Sequence, residues 1–287
     1  MGRSLAEGSD TAKALYAKAD DVLGWKLSEI CFNGPEETLT ETRVCQPALY
    51  VMGYTIFSLL KSAGKLDGVT LAAGLSLGEL TALAAAGSFT FEDGLKVVAE
   101  RGRLMQEACD ATDGAMASMI GGERDAVEAL CAEHDVDMAN LNCPGQIVIS
   151  GDSGKVARAV EAAKASGTFR MVVPLKVAGA YHSRLMEPAR EQFETFLQGI
   201  DIREPQLTVL SNTTGKPVKS PDEIRTALTR QVVSSVLWED CMREAASRDV
   251  TEFIECGPGA VLAGMAERTD RSWTVVSIAE LADLEKA

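Results

Sequence analysis

The fold is decided by the stretch Val69-Thr70-Leu71-Ala72-Ala73-Gly74-Leu75-Ser76-Leu77-Gly78-Glu79-Leu80. Its first five residues form a short apolar run, which is typical of a buried strand, and the Leu- and Ala-rich residues 77–86 predict a helix. The Gly-x-Ser-x-Gly sequence between them predicts a sharp turn that holds a serine in a strained conformation, with its hydroxyl exposed. Ser76 is therefore a candidate nucleophile, and the N–H of Leu77 would stabilise the oxyanion that its attack forms. The alternative is that Ser76 only caps the helix.

The composition is that of a globular protein with a large core. The 287 residues suffice for one large domain or two unequal ones, and neither a membrane-length apolar run nor a signal peptide is visible. The net charge of −14 disfavours nonspecific binding of nucleic acid. The seven cysteines are scattered and form no Cys-x-x-Cys, so we expect reduced thiols in a cytoplasmic protein rather than a disulfide framework.

The pattern of elements predicts two subdomains of an α/β protein. Residues 114–178 follow the order β-α-β-β-α-β, with predicted strands at 115–120, 138–141, 146–150 and 170–177, which is the ferredoxin-like pattern. We therefore predict a small subdomain at 114–178, inserted into a discontinuous large subdomain of residues 1–113 and 179–287. In the large subdomain only helices precede the Ser76 turn, and strands then alternate with helices, which predicts a mostly parallel sheet covered on both faces.

Two arginines of the predicted helix at 90–108 differ in the face that they occupy. Arg103 lies four residues before Glu107, on a solvated face, whereas Arg101 shares the apolar face with Met105. An inward arginine needs an anion or another acceptor. On the pattern alone, a structural ion pair or a snorkelling stem is the stronger interpretation of Arg101, and a site for a substrate anion is the other.

Only two histidines could serve as the base that Ser76 needs. His182 lies in a Gly- and Ala-rich turn just after the predicted insert, where its imidazole would be accessible. His134 ends an acidic helix and is interpreted as a solvated cation at the helix end. We therefore predict that His182 takes the proton of Ser76; the alternative is that His182 is merely a polar residue at a helix start.

Six motifs occur in the order and at the distances found in one enzyme family. They are Gly74-Leu75-Ser76-Leu77-Gly78-Glu79, Arg101-Gly102 within a helix, Asn142-Cys143-Pro144-Gly145-Gln146, Gly179-Ala180-Tyr181-His182-Ser183, Arg230-Gln231 and Glu255-Cys256-Gly257-Pro258-Gly259. On these motifs the chain resembles the malonyl-CoA:acyl carrier protein transacylases of fatty-acid and polyketide synthesis, over nearly its whole length.

The resemblance implies a fold and a set of site residues. The fold would be an α/β-hydrolase-like large subdomain with a ferredoxin-like insert. The site would be a Ser–His dyad whose histidine is oriented by a backbone oxygen at Gln231, while Arg101 grips the malonyl carboxylate in a bidentate pair. The substrate pocket would include Leu75, Tyr181 and Asn142.

The activity implied is ping-pong transfer of a malonyl group. Malonyl-CoA would load the serine, and the phosphopantetheine thiol of acyl carrier protein would take the malonyl group from it, with the histidine as base in both steps. The expected partners are these two substrates, without nucleic acid or membrane, and the protein is expected to be a cytoplasmic monomer that uses no cofactor and no metal.

The chain departs from the family pattern at two places. Leu75 replaces the histidine that usually precedes the nucleophile, which weakens any inference about the substrate from that position. The family also starts with a strand and a Gly-Gln-Gly loop, whose glutamine supplies a second oxyanion donor, whereas this chain begins at Met1-Gly2-Arg3-Ser4-Leu5, which resembles the segment after that loop. Loss of one such donor costs about 3 kcal/mol in the transition state.

Selectivity for malonyl is expected from the turn that contains the histidine. Gly179-Ala180-Tyr181-His182 resembles the Gly-Ala-Phe-His form of malonyl-selective relatives, and a bulky Tyr181 would leave little room for an α-methyl branch.

Two other functions are compatible with a Gly-x-Ser-x-Gly turn. A serine esterase or thioesterase would have an acid after the serine and a histidine near the C-terminus, but here the histidine lies in mid-chain. The second alternative is an acyltransferase-like module that binds carrier protein with reduced activity, because the Gly-Gln-Gly loop is absent.

Overall fold

The computed structural model describes residues 1–287 and contains thirteen α-helices and ten β-strands. Five helices precede the first strand, which confirms that no run of strands comes before the Ser76 turn. These helices are Arg3–Gly8 (α1), Asp10–Leu23 (α2), Leu27–Asn33 (α3), Glu36–Thr40 (α4) and Thr42–Ser62 (α5). The sequence did not predict α1, α3 or α4, because helices of six, seven and five residues are too short to display a 3.6-residue pattern.

The start of α5 was predicted wrongly. Residues 46–63 are an apolar stretch that predicts a helix, and its expected start is near Pro47 because proline is favourable in a first turn. In the structure α5 begins at Thr42 and contains Pro47 in its interior. Proline has no N–H to donate to the carbonyl one turn earlier. The helix continues through it because its buried side chains, among them Tyr50 and Ile56, lie in the hydrophobic core, and burial of an apolar face outweighs local propensity.

The Ser76 turn joins the first strand to a short helix that packs in the main core. The strand is Leu71–Ala72 (β1), shorter than predicted, and the helices that follow are Leu77–Ala85 (α6) and Phe91–Asp110 (α7). Thr90 caps α7 through a hydrogen bond from the N–H of Asp93 to Thr90 Oγ1, 3.0 Å long. The largest cluster of buried apolar side chains draws on α5, α6 and α7, so the nucleophile turn has a rigid base.

Two small groups of strands complete the large subdomain, and their pairing is mostly parallel. Thr208–Leu210 (β6) pairs in parallel with β1, with Leu71 opposite Thr208, and pairs antiparallel with Pro217–Val218 (β7). Glu252–Cys256 (β9) and Thr274–Ile278 (β10) form a parallel pair. The predicted α/β class with a mostly parallel large subdomain is confirmed.

The five-stranded sheet has the predicted ferredoxin-like strand order. Its elements are Gly114–Ile120 (β2), Arg124–His134 (α8), Asp137–Cys143 (β3), Gln146–Asp152 (β4), Ser153–Ser166 (α9) and Met171–Pro174 (β5). The strand order is β5-β2-β4-β3, and every pairing among these four strands is antiparallel, as in the ferredoxin-like fold. Val236–Leu237 (β8) adds a fifth strand, parallel to β3, and a strand of two residues carries no periodic signal.

The remaining helices cover the sheets and include one that the sequence analysis missed. They are Glu187–Leu197 (α10), Pro221–Gln231 (α11), Trp238–Ala246 (α12) and Val261–Thr269 (α13), with short 3₁₀ helices at Arg184–Met186 and Leu281–Lys286. The sequence predicts a helix from Arg184 to Leu197, and in the structure this helix begins with a 3₁₀ turn. Ser220-Pro221-Asp222-Glu223 is a strong helix-start sequence, and Ser220 caps α11 accordingly, whereas the sequence did not predict α12. No helix combines the length and the apolar character needed to cross a membrane.

Candidate active site

Ser76 lies at a strained turn between β1 and α6. Its backbone has φ 52° and ψ −106°, outside the regions that L-residues ordinarily occupy. Gly74 is required there, because a Cβ at residue 74 would lie 2.0 Å from the carbonyl carbon of Gly78. The turn therefore brings residues 74 and 78 together and presents the Ser76 hydroxyl at the start of α6, where the N–H of Leu77 has no partner within the helix.

The Ser76 hydroxyl contacts the His182 ring, which in turn contacts the backbone at Gln231. Ser76 Oγ lies 2.8 Å from His182 Nε2, and His182 Nδ1 lies 2.8 Å from the backbone O of Gln231. A carbonyl oxygen can only accept, so Nδ1 carries the proton and Nε2 is free to accept the proton of Ser76. His182 itself has φ 57°, so both members of the pair occupy strained backbone positions.

The electrostatic surroundings keep His182 neutral. The ring is buried, and burial together with the nearby Arg101 cation lowers the pKa of His182 to about 4. At neutral pH the imidazole is therefore uncharged and able to act as a base. The hydrogen bond to Gln231 acts in the opposite direction and favours the protonated ring.

Arg101 lies inward, as its helical spacing predicts, and is beside Ser76. Its side chain is 1% exposed. Its Nη1 donates to Gln46 Oε1 over 2.6 Å, and its Nη2 donates to Gln231 Oε1 over 2.9 Å and to Ser76 Oγ over 3.0 Å. Burial lowers the pKa of Arg101 to about 10, so the guanidinium stays charged at neutral pH. By contrast Arg103 is exposed and forms ion pairs on the surface of α7.

The hydrogen-bond partners of Arg101 are all uncharged. They are two amide oxygens and one hydroxyl, and Nε is buried with no hydrogen-bond partner. The buried Glu79 carboxylate interacts with this charge, but no carboxylate bonds to the guanidinium directly. A directly bonded anion would stabilise the buried charge further, so the arrangement favours an incoming anion close to Ser76 Oγ.

Three residues of the site were missed by the sequence analysis. Asn212 Oδ1 accepts from the backbone N of Ser76 over 2.6 Å, and Glu79 Oε2 accepts from Gln231 Nε2 over 2.6 Å. Gln46 holds Arg101, as described. One signal was available for Asn212, since it lies two residues after the end of β6 and the carboxyl ends of neighbouring parallel strands meet at one edge. Gln46 and Glu79 lie in apolar helical stretches, and the only sign in the sequence that they belong to the site is that they are polar.

The three residues expected at the substrate pocket lie in different surroundings. Leu75 is half-buried against the apolar cluster of α12. Tyr181 is half-buried, and burial raises the pKa of Tyr181. Asn142 lies in β3 with a buried Oδ1 that has no hydrogen-bond partner. Their roles in binding substrate remain predictions.

A cavity of about 390 Å³ borders His182. It is lined on one side by residues 136–138, at the start of β3, and on the other by residues 233–235, which follow α11. Ser235 Oγ donates to the backbone O of Met138 across this boundary over 2.6 Å. The cavity thus lies where the five-stranded sheet meets the segment that carries Gln231, and its volume is in the range of small-molecule binding pockets.

His134 was expected to be a solvated cation, and this expectation is wrong in part. It ends α8 as predicted, but its side chain is half-buried and Nε2 has no hydrogen-bond partner. The apolar side chains of α8 pack on the sheet, and this packing leaves the His134 ring half-buried at the end of the helix. No group of three or more His, Cys, Asp or Glu side chains is arranged to hold a metal ion.

Comparison with known proteins matches residues 1–286 to the family described as the acyl transferase domain. The chain belongs to this family. A relative of this acyl transferase domain is the malonyl CoA-acyl carrier protein transacylase of Bacillus subtilis (strain 168), 38% identical over 292 aligned positions that cover 100% of this chain and 91% of that protein.

Solved structures extend the similarity of the acyl transferase domain to its fold. An acyl carrier protein S-malonyltransferase from Vibrio cholerae O1 biovar eltor str. N16961 superposes with a TM-score of 0.95 at 35% identity, covering 100% of this chain and 94% of that chain. A malonyl-transacylase in complex with its type II PKS acyl-carrier protein superposes with a TM-score of 0.94 at 35% identity, covering 100% and 94% of the two chains.

Proposed function

We propose that the protein transfers a malonyl group from malonyl-CoA to the phosphopantetheine thiol of acyl carrier protein, through a malonyl ester of Ser76. The observation that carries the proposal is the placement of the buried Arg101 guanidinium against Ser76 Oγ, which itself contacts neutral His182. The proposed nucleophile, Ser76 Oγ, thus contacts both a base and a buried cation. The names of the relatives, malonyl CoA-acyl carrier protein transacylase and acyl carrier protein S-malonyltransferase, support the same conclusion.

The first half-reaction loads the serine. His182 Nε2 takes the proton of Ser76 Oγ as that oxygen attacks the thioester carbonyl of malonyl-CoA. The N–H of Leu77 stabilises the oxyanion of the tetrahedral intermediate. The C–S bond then breaks, the protonated His182 gives its proton to the CoA sulfur, and the malonyl group stays on Ser76 as an ester.

The second half-reaction runs the same steps in reverse with a different thiol. His182 takes the proton of the phosphopantetheine thiol, whose sulfur attacks the ester carbonyl. The Ser76 C–O bond breaks and His182 returns its proton to Ser76 Oγ. The cavity beside His182 gives such a thiol a route to the base.

Arg101 selects substrates that carry a carboxylate. The guanidinium keeps its charge at neutral pH, and no carboxylate bonds to it directly in the free protein. A charge-assisted pair with the malonyl carboxylate is roughly twice as strong as a bond to a neutral oxygen, so the acyl group is held by its far end while its thioester carbonyl faces Ser76.

The contact of His182 Nδ1 argues against a triad hydrolase. In such enzymes a carboxylate accepts from this nitrogen and stabilises the imidazolium. Here the acceptor is the backbone O of Gln231.

We further propose that residues 114–178 form a small subdomain within a large one of residues 1–113 and 179–287, and that the protein works as a cytoplasmic monomer without cofactor. Four of the five strands in the ferredoxin-like sheet come from residues 114–174, which supports these boundaries. Either fatty-acid or polyketide synthesis would use the product.

Trapping the acyl-enzyme tests the proposed function. After mixing with malonyl-CoA, the intact protein should gain the mass of one malonyl group, located on the peptide that contains Ser76. Addition of phosphopantetheinylated acyl carrier protein should discharge it and add the same mass to the carrier. A protein that stays unmodified, or that releases only free malonate, would contradict the proposal.

Replacement of Arg101 with Ala should lower malonyl transfer and narrow the preference for malonyl over acetyl. Loss of the guanidinium removes the partner of the malonyl carboxylate, and one charge-assisted pair is worth about 1.5–3 kcal/mol, so kcat/KM for malonyl-CoA should fall at least tenfold. Acetyl-CoA has no carboxylate to lose, and its relative rate should rise.

Arg103→Ala is the matched control, because it removes an exposed arginine from the same helix. Competition among malonyl-, methylmalonyl- and acetyl-CoA, run on both variants, measures the effect. If Arg101→Ala kept the malonyl preference that Arg103→Ala shows, Arg101 would be a structural arginine.

A further inference from the structure

Glu79 is a carboxylate buried directly beneath the Ser76 turn. It lies in the first turn of α6 and is 1% exposed. Its Oε2 accepts from Gln231 Nε2 over 2.6 Å and from the backbone N of Asn212 over 3.1 Å, while Oε1 has no hydrogen-bond partner. The mechanism above assigns this carboxylate no task, although burial of a charge costs free energy that its hydrogen bonds must offset.

The two residues that donate hydrogen bonds to Glu79, Asn212 and Gln231, also form hydrogen bonds with Ser76 or His182. Asn212 joins the two sides of the nucleophile turn, since its Oδ1 accepts from the N of Ser76 and its Nδ2 donates to the O of Gly74 over 2.9 Å. Gln231 holds the His182 ring through its backbone O, and its Nε2 also donates to the backbone O of Ser76 over 2.9 Å.

Glu79 also helps to set which way the Gln231 amide faces. Its Oε2 accepts the shortest of the hydrogen bonds that Nε2 donates, 2.6 Å against 2.9 Å to the backbone O of Ser76. With Nε2 on that side, Oε1 faces Arg101, from which it accepts over 2.9 Å.

We propose that Glu79 is a positioning residue for the acyl transfer, fixing Asn212 and Gln231 and through them the Ser76 turn and the His182 ring. This role rests on the function proposed above. It differs from that of a structural carboxylate because its removal should act on the chemical step rather than on substrate binding.

The charged and titratable groups that face Glu79 predict a pH dependence. Arg101 on α7 faces it and favours its ionised form, and the Cys241 thiol on α12 lies near it. Burial, the largest effect, raises the pKa of Glu79 to about 7. The ionised carboxylate is the stronger acceptor for Asn212 and Gln231, so kcat should rise with pH through about 7. Deprotonation of His182, with its pKa of about 4, is complete well below that range.

Two substitutions separate the charge of Glu79 from its acceptor oxygen. Glu79→Ala removes both and should lower kcat for malonyl loading at least tenfold, about 1.4 kcal/mol, with KM almost unchanged. In Glu79→Gln the side-chain oxygen can still accept from both donors, with the amide nitrogen on the side where Oε1 has no hydrogen-bond partner. That variant should recover most of the rate and lose the step in kcat near neutral pH.

A control on the same helix distinguishes positioning from loss of stability. Leu83→Ala removes a fully buried side chain of α6 that makes no hydrogen bond to the site. Melting temperatures are measured for all variants, and kcat is compared well below them. Equal losses of kcat in Glu79→Ala and Leu83→Ala, at equal loss of stability, would overturn the proposal. If Glu79→Ala does not fold, retention of the pH step by Glu79→Gln would overturn it.

Acylation of Ser76 by p-nitrophenyl acetate keeps this test independent of the proposed function. This ester reports on Ser76 and His182 without malonyl-CoA or carrier protein. If the wild type does not load malonyl but the ester acylates Glu79→Ala more slowly than Leu83→Ala, only the proposed function is contradicted. If the ester acylates Glu79→Ala at the wild-type rate, only the positioning role is contradicted.

Discussion

Ser76→Ala should abolish covalent loading by malonyl-CoA. Without Oγ there is no atom at the strained turn to form the ester, and removal of the nucleophile from a serine enzyme lowers kcat on the order of 10⁶-fold. The fold should survive, because alanine occupies less space than serine and the turn is held through the backbone N of Ser76 by Asn212. Mass spectrometry of the protein after mixing with malonyl-CoA measures the loading.

Ser88→Ala is the matched control for this substitution. Ser88 is a buried serine whose hydroxyl has no hydrogen-bond partner, in the loop after α6, and loss of that hydroxyl should leave loading intact. A malonyl group found on Ser76→Ala protein would show that another residue is the nucleophile.

His182→Ala should produce the second largest loss, about 10⁴-fold or more in transfer rate. The substitution removes the base that accepts the Ser76 proton, and general-base catalysis accounts for 10²–10⁴-fold in typical enzymes, with larger losses where nucleophile and base act as a unit. The hydrogen bond from Arg101 Nη2 to Ser76 Oγ stays, but the guanidinium remains charged near neutral pH and cannot take a proton. Single-turnover measurement of malonyl loading gives the effect on the first half-reaction.

His134→Ala removes the other histidine and should leave the rate almost unchanged. His134 ends α8 and has no hydrogen bond to the site. If both variants lost the same activity, the assignment of the base would be wrong, and loss in His134→Ala alone would point to His134 as the base.

The sequence was informative where a short stretch carries its own signal. The Ser76 turn needs only glycines at set positions between an apolar strand and an apolar helix. The opposite orientations of Arg101 and Arg103 follow from helical spacing alone, and the structure confirms them. The order of elements in the ferredoxin-like sheet was also predicted, because each of its long strands and helices shows a clear period.

Local sequence patterns did not predict the shortest elements or the contacts of polar residues that stand in apolar stretches. The two-residue strand β8 forms only because β3 offers it an edge, and α5 continues through Pro47 because tertiary packing stabilises it. Gln46 gave no positional signal, since the acceptor that it offers to Arg101 comes from a helix that lies far away in sequence.

The sequence by itself determined the nucleophile turn, the two candidate bases, the inward arginine and the order of the subdomain elements, because these depend on contacts between near neighbours. Only the tertiary structure decided how the side chains meet. Ser76 and His182 are 106 residues apart, and Gln231 lies 49 residues beyond His182. Glu79 and Asn212, 133 residues apart, join beneath the turn. Hydrogen bonds at such separations form only after the core has fixed the positions of the helices, and no local pattern encodes them.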